Sequence, residues 1–343
     1  MTSRTPPLLE PYLAGLPDEA ALVVLTGILG ASTNWLVLRY LHSFLKQALG
    51  GDEDEDDETT TAEDEPSVLL VSFLRDYTFW KDSASRLGLD LDALARRGRF
   101  SFVDGLRSAL FVPSSSSSSF TTTSTTTTST TPCNAIPDRG RPTPTPTPTP
   151  PRPAPRPVVQ AHQQKWKQPL THPSLVGVQS GLHSAVDELV RARAARAGTG
   201  TGTGGSNGKV ILVIDQLDFL LAAAATSSVT SLGLRELLLD LREKVHATIL
   251  TLSADEPLVV AQTTSLEKEH AAFVLSLAHE AETILSLRLL DTGVAKDVSG
   301  VLRITGGGGG GDRRAGRPQV EEKEYLYQVV GDGGVRVFER GGQ

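Results

Sequence analysis

The sequence is poor in cysteine, with one thiol, Cys133, among 343 residues. A single cysteine cannot form an internal disulfide or a cysteine-based zinc site, and this favours a reducing compartment. Apolar runs are also far too short to span a bilayer. The N-terminus, with Pro6, Pro7 and Pro11, lacks the basic start and apolar run of a signal peptide. We therefore expect a soluble, intracellular protein.

Motifs that carry chemistry are absent as well. The seven histidines are scattered, and neither an H-E-x-x-H motif nor a G-x-S-x-G elbow occurs. His246 and His279 fall at predicted helix ends, where a cation complements the helix dipole, so a structural role is favoured for both. We expect no catalytic residue, no cofactor-binding residue, no metal ligand and no bound cofactor. The chain is not expected to be an enzyme.

Four segments have too little apolar surface to offset the entropy of ordering them. They are 51–65 (acidic), 113–157 (Ser/Thr, then Pro), 198–208 (Gly/Thr) and 306–318 (Gly, then basic). The remaining residues, roughly 250, suffice for one core. We predict a single domain over residues 1–343, interrupted by these disordered insertions.

The formal net charge of −7 at first argues against a nucleic-acid partner. Ten of the acidic residues, however, lie between Asp52 and Glu65, without a basic residue among them. The rest of the chain is mildly basic, which is compatible with an RNA partner but does not require one. Trp166 lies between Lys165 and Lys167 and could stack on RNA, although a solvated linker is the favoured interpretation.

The segment 210–214 is an unbroken aliphatic run typical of a central parallel strand buried on both faces. Asp215 ends this strand, where open α/β sheets bind ligands and where P-loop NTPases place a magnesium-associated aspartate. Two interpretations stay open for Asp215. It either starts the next helix as a cap, which is favoured, or binds metal.

A second strand, 21–26, leads through a glycine turn at 27–30 into a helix predicted over 33–49. A phosphate-binding loop, G-x-x-x-x-G-K-[ST], would occupy this position. Counted from Gly27, its last three places hold Ser32, Thr33 and Asn34, so the second glycine, the lysine and the hydroxyl are all missing. Ser32 or Thr33 is expected to cap the helix. The order of elements is that of a RecA-type core without its phosphate-binding residues.

Hydrophobic periodicity predicts the remaining elements. Asp240 and Lys244 should form an i,i+4 pair on one of the helices. The fold class is thus α/β and RecA-like, with a mostly parallel central sheet flanked by helices and a C-terminal antiparallel meander and hairpin. The predicted strands are 67–74, 100–103, 247–252, 283–289, 301–305, 325–330 and 335–338, and the predicted helices are 76–87, 91–97, 182–197, 231–246 and 266–279.

Several short blocks, together covering most of the foldable chain, resemble a known family. The chain is similar to subunit 6 of the Elongator complex in a fungal form. The first block runs from Leu25-Thr26-Gly27 through Ser32-Thr33-Asn34-Trp35-Leu36-Val37. The others are Val71-Ser72-Phe73-Leu74-Arg75-Asp76 with Phe79-Trp80, Arg99-Phe100-Ser101-Phe102-Val103-Asp104-Gly105-Leu106, Val213-Ile214-Asp215-Gln216-Leu217-Asp218 and the region 265–289.

The resemblance implies a RecA-like fold without a functional P-loop, in a hetero-oligomeric ring with Elongator subunits 4 and 5. In that family the ring binds tRNA and supports wobble-uridine modification by the catalytic subunits 1–3. It implies a protein of the cytoplasm, with the nucleus as a second compartment, and no membrane partner. No catalytic residue can be carried over. Two alternatives stay open: the paralogous ring subunit 5, and an active P-loop ATPase, which the missing lysine near Thr33 disfavours.

Overall fold

The computed structural model describes residues 5–46, 65–106, 165–170, 174–196, 209–223, 229–291, 293, 295–308, 320–331 and 333–340. All of them belong to one compact unit. The segments 113–157 and 198–208, predicted to be disordered, lie outside the described residues. So do most of 51–65 and 306–318, of which Glu65 and residues 306–308 are described.

The described elements alternate between strands and helices over most of the chain. The strands are β1 (Ala21–Gly27), β2 (Ser67–Ser72), β3 (Phe100–Asp104), β4 (Lys167–Pro169), β5 (Val210–Asp215), β6 (Ala247–Ser253), β7 (Thr283–Arg288), β8 (Gly300–Gly306), β9 (Lys323–Val329) and β10 (Val335–Glu339). The helices are α1 (Glu10–Leu13), α2 (Asn34–Lys46), α3 (Tyr77–Arg86), α4 (Leu91–Arg96), α5 (Leu175–Arg196), α6 (Phe219–Ala223), α7 (Ser231–Arg242) and α8 (Ser265–Glu280), with a 3-10 turn at Pro7–Leu9 and a π-helical turn at Pro257–Ala261.

The ten strands form one sheet in the order β10-β9-β8-β7-β1-β6-β5-β2-β3-β4. Strands β1 to β7 run parallel. Strands β8, β9 and β10 continue the sheet beyond β7 in antiparallel order and end in a hairpin. The predicted fold class, a mostly parallel sheet with a C-terminal antiparallel meander, is confirmed.

Each central strand is buried on both faces because successive side chains point to opposite sides of the sheet. In β1, Val23 and Leu25 pack into a core with α1 to α4, whereas Leu22 and Val24 pack into a second core with α5 to α8. Every residue of β1, β2, β3 and β5 is buried. This explains why these strands could be recognised from uninterrupted apolar runs.

Helix bounds differ from the predictions at α5 and α7. Helix α5 begins at Leu175 rather than at residue 182, and its first turns were missed because they contain Gly177 and Gly181, which are poor helix formers. Gly181 is needed there, since a Cβ atom at this position would lie 2.7 Å from Leu170 Cδ2. The short elements β4 and α6 were also not predicted.

Helix α7 ends at Arg242, and the predicted Asp240–Lys244 pair is wrong. Asp240 accepts a hydrogen bond from Gln179 Nε2 at 2.7 Å, and Lys244 lies 3.4 Å from Asp187 instead. His246 consequently follows the helix, with its Nε2 3.0 Å from the Pro17 carbonyl oxygen. His279 does lie in the last turn of α8, as predicted.

Trp166 belongs to the packed part of the chain. Its ring contacts Tyr77 edge-on at a centroid distance of 5.1 Å, and its carbonyl accepts hydrogen bonds from Ser101 and from the Phe102 amide. Lys167 Nζ lies 4.9 Å from the Tyr77 ring centroid. These contacts use the Trp166 ring internally, so stacking of this ring on RNA is disfavoured.

Glu65 ends the acidic segment and joins the folded part. Arg99, only 1% exposed, donates from Nη2 to the Pro66 carbonyl at 3.0 Å and lies 3.1 Å from Glu65 Oε2 through Nη1. A buried guanidinium requires such partners because burying an uncompensated charge is costly. The acidic segment is therefore attached to the fold by its last residue.

We expect Glu65→Ala to lower the free energy of unfolding by about 1–3 kcal/mol, because a buried donor loses its charged partner. Chemical denaturation measures this difference, and Glu19→Ala, on an exposed turn, is the control for loss of a surface carboxylate. Equal stability of the two variants would contradict the role of the ion pair.

Candidate functional site at the carboxyl edge of the sheet

The loops that follow β1, β2, β5 and β6 gather at one edge of the sheet, because these strands are parallel and adjacent in space. Gly27 ends β1, Ser72 ends β2, and Asp215 ends β5. Open α/β sheets bind their ligands at this carboxyl edge. The glycine loop and Asp215, both singled out from the sequence, are thus brought to the same edge.

The glycine loop is closed on itself. The Ala31 amide donates to the Ile28 carbonyl at 2.8 Å, and Gly30 has φ +90°, as expected for the third residue of a tight turn. A Cβ atom on Gly27 would lie 2.7 Å from the Ala31 carbonyl oxygen, which explains the need for glycine. The turn therefore uses internally an amide that a phosphate-binding loop would offer to its ligand.

A carboxylate accepts a hydrogen bond from another amide of the same loop. The Leu29 amide donates to Asp255 Oδ1 at 2.8 Å, so a negative group of the protein occupies a position where a P-loop would favour phosphate. The lysine that a P-loop would have at position 33 is replaced by threonine. Ser32 Oγ accepts from the Asn34 amide at 3.3 Å, and Thr33 is buried with its carbonyl accepting the Val37 amide. Both residues therefore accept hydrogen bonds from amides in the first turn of α2.

Asp215 is fully buried and held by neighbouring strands. Ser72 Oγ donates to its Oδ2 at 2.8 Å, Thr251 Oγ1 donates to its Oδ1 at 3.1 Å, and Arg75 Nη1 lies 3.7 Å from Oδ2. Burial raises the pKa of Asp215, while Arg75 and the two hydroxyl groups act in the opposite direction. We attribute the net rise to burial because 3.7 Å is long for an ion pair.

The favoured sequence interpretation, Asp215 as a helix cap, is wrong. Gln216 follows in a left-handed conformation, with φ +59°, and α6 begins only at Phe219. The carboxylate therefore points across the strands, and Arg75 supplies a cation where P-loop NTPases hold a metal ion. Among the described residues, no group of three or more His, Cys, Asp or Glu side chains could hold a metal.

Sequence analysis missed a buried pair beside Asp215. Asp218 Oδ2 accepts the Ser253 amide at 3.1 Å and lies 3.1 Å from His270 Nε2, with both side chains 4% exposed. The pair borders a cavity of about 150 Å³. The two residues are 52 positions apart, and no motif links them, so only the tertiary structure identifies the pair.

The arrangement of the sheet defines the class of protein. A single strand, β6, separates the strand that leads into the glycine loop from the strand that ends in Asp215, and both features lie at the carboxyl edge. This order, with helices on both faces, is that of a RecA-like α/β protein.

Comparisons with known proteins add little to this class. No protein-family model and no curated protein matches the chain. Among solved structures, the chain is similar to a KaiC-like protein from the hyperthermophilic archaeon Pyrococcus horikoshii OT3, at 14% sequence identity and a TM-score of 0.44, over 98% of each chain. In the described part of the chain, no helix combines the length and the apolar character needed to cross a membrane.

We expect the isolated chain not to bind ATP through its glycine loop, because the loop lacks a lysine and its Leu29 amide is occupied by Asp255. Replacing Ser32 with Gly and Thr33 with Lys should not create ATP turnover, since Asp255 and the closed turn remain. Isothermal titration calorimetry tests the first statement, and micromolar ATP binding by the wild-type chain would contradict it. An assay of phosphate release tests the second, and steady turnover by the variant would contradict it.

The stability of Asp215→Asn relative to wild type should depend on pH. Because the folded pKa of Asp215 is raised above 3.8, its ionisation costs stability, so wild type should lose stability relative to the variant as pH rises above about 4. Asp92→Asn is the matched control with the opposite sign, because hydrogen bonds from Lys81 and Tyr77 lower the pKa of Asp92. The Asp92 effect falls at and below about pH 4, where wild type should gain stability relative to Asp92→Asn as pH rises, because the folded pKa lies below 3.8. Urea unfolding from about pH 2 to about pH 7 measures both slopes, and the same sign for both would contradict the assignment.

Proposed function

We propose that the chain is a non-catalytic RecA-like subunit of the Elongator complex, assembling with subunits 4 and 5 into a ring. The ring would bind tRNA and support wobble-uridine modification by the catalytic subunits 1–3. The proposal joins two independent lines of support: the resemblance of the sequence blocks to subunit 6, and the altered glycine loop at the carboxyl edge.

The observation that carries the proposal is the surface of the glycine loop. Its turn presents Leu29, which is 86% exposed, where a nucleotide-binding loop would present amides and a lysine. Val260 after β6 and Leu289 after β7 are also exposed, by 68% and 44%. Leu289 packs against Gly30, since a Cβ atom there would lie 3.4 Å from Leu289 Cδ1. Exposed apolar side chains grouped in this way favour contact with another protein.

The blocks that resemble subunit 6 contribute to this same edge. Ser72 and Arg75, from one block, bind Asp215 from another. The loop 28–31 lies within a further block, which runs from Leu25 to Val37. A family resemblance that includes a closed glycine loop is explained most simply by retention of a RecA-like surface for neighbouring subunits, without nucleotide chemistry.

An edge of this kind would be buried in a ring, and burial would stabilise the chain by mass action. RNA binding would then belong to the assembled ring. Its affinity should fall steeply with salt, because contacts to phosphate dominate such binding.

The test is light scattering coupled to size-exclusion chromatography of the purified chain with Elongator subunits 4 and 5. We expect a stable hetero-oligomer, and low stability or solubility of the chain alone. A stable, soluble monomer that binds neither subunit would refute the proposal. If the chain instead replaced subunit 5 in a ring with subunits 4 and 6, it would be the paralogous subunit 5.

A pair of substitutions tests the apolar edge itself. Leu29→Glu should abolish assembly, because it places a charge in the proposed contact. Leu239→Glu is the matched control: Leu239 is 47% exposed but lies in the second half of α7, which runs away from the carboxyl edge. Loss of assembly in the control alone would locate the interface elsewhere.

A further inference from the structure

The cavity beside Asp218 has mostly apolar walls, but two polar atoms of its lining residues are not used by the protein. It is lined by Gln216, Asp218, Phe219, Ala222, Ser253, Leu258, Leu266 and His270. Asp218 Oδ1 and His270 Nδ1 are both buried and have no hydrogen-bond partner among the described residues. Buried polar atoms are normally paired, and unpaired ones call for an explanation.

The size of the cavity limits what can fill it. Its volume of about 150 Å³ equals roughly five water molecules at about 30 Å³ each. Binding sites for drug-sized ligands usually enclose about 300–1,000 Å³. The end of one long side chain fits this volume.

The charge around the cavity favours a cation. The segments that contribute Leu258 and Leu266 to the lining are acidic: Asp255 and Glu256 precede the π-helical turn, and Glu267 and Glu269 follow Leu266 on α8, although none of the four lines the cavity itself. Hydrogen bonds from Thr263 and Thr264 lower the pKa of Glu267 to about 2, so this carboxylate stays ionised. Lys268 is the only Lys or Arg residue in the segment 253–270. Opposite charges across an interface guide association and fix its register.

The apolar walls suit the stem of such a side chain. Phe219, Leu258 and Leu266 line the same cavity as Asp218, and Leu266 is 38% exposed at its rim. Lysine and arginine bury their methylene groups along apolar surfaces while their charged ends reach polar partners. An acidic atom at the cavity wall beside apolar residues matches this amphipathic shape.

We propose that the cavity receives one lysine or arginine side chain from a partner subunit, whose cationic end binds Asp218 Oδ1. His270 holds the second oxygen of the carboxylate and offers Nδ1 as a further acceptor when its proton is on Nε2. This inference rests on the proposed function, because it takes the neighbouring ring subunit as the source of the side chain. It adds a specific contact to the apolar edge formed by Leu29 and Val260.

The experiment measures the affinity of the full chain for purified Elongator subunits 4 and 5 by biolayer interferometry. Asp218→Asn removes the charge with little change in shape, and Ala222→Trp fills the cavity while leaving Asp218 intact. Each should weaken binding at least tenfold. The controls are Asp82→Asn and Ala14→Trp, at exposed positions outside the cavity, which should retain affinity within about threefold.

Thermal melting of each free variant separates binding from folding. If Asp218→Asn does not fold, Ala222→Trp decides the question alone. Wild-type affinity in a folded Ala222→Trp chain would overturn the cavity proposal while the proposed function stands. Failure of the wild-type chain to bind subunits 4 and 5 would overturn both, so the two failures are distinguishable.

Discussion

The buried carboxylate of Asp215 connects the ends of three adjacent strands. Ser72 from β2 and Thr251 from β6 donate to its two oxygens, and Arg75 balances its charge from the loop after β2. In a P-loop NTPase the corresponding aspartate is balanced by a bound metal ion. Here Ser72, Thr251 and Arg75 contact the carboxylate from two neighbouring strands and a loop, and these contacts link the strand ends at the carboxyl edge.

The same replacement extends to the glycine loop. A phosphate-binding loop is stabilised by its ligand, because several amides converge on one anion. In this chain the Asp255 carboxylate and the Ile28 carbonyl accept amides of the loop instead. The loop amides and the Asp215 carboxylate are thus hydrogen-bonded within the chain. The exposed side chains at this edge include the apolar residues Leu29 and Val260.

The sequence predicted the elements that follow from local patterns. Strands β1, β2, β3, β5 and β6 were recognisable because both of their faces are buried, and the missing P-loop lysine was visible by counting from Gly27. Contacts between distant residues could not be predicted. The bond between Leu29 and Asp255 spans 226 positions, and the Asp218–His270 pair has no local signature. Helix α5 was underestimated because glycines needed for close packing lower its apparent helix propensity.

The position of β1 has a consequence for how the chain reaches its native state. This strand pairs only with β6 and β7, both encoded near the other end of the chain, so its ladder consists entirely of contacts of high sequence separation. Such topologies fold slowly, and the apolar strand stays without its neighbours until most of the chain has left the ribosome. An unpaired, largely apolar strand is a site for aggregation. The newly made chain is thus most exposed to aggregation before β6 and β7 are available to pair with β1.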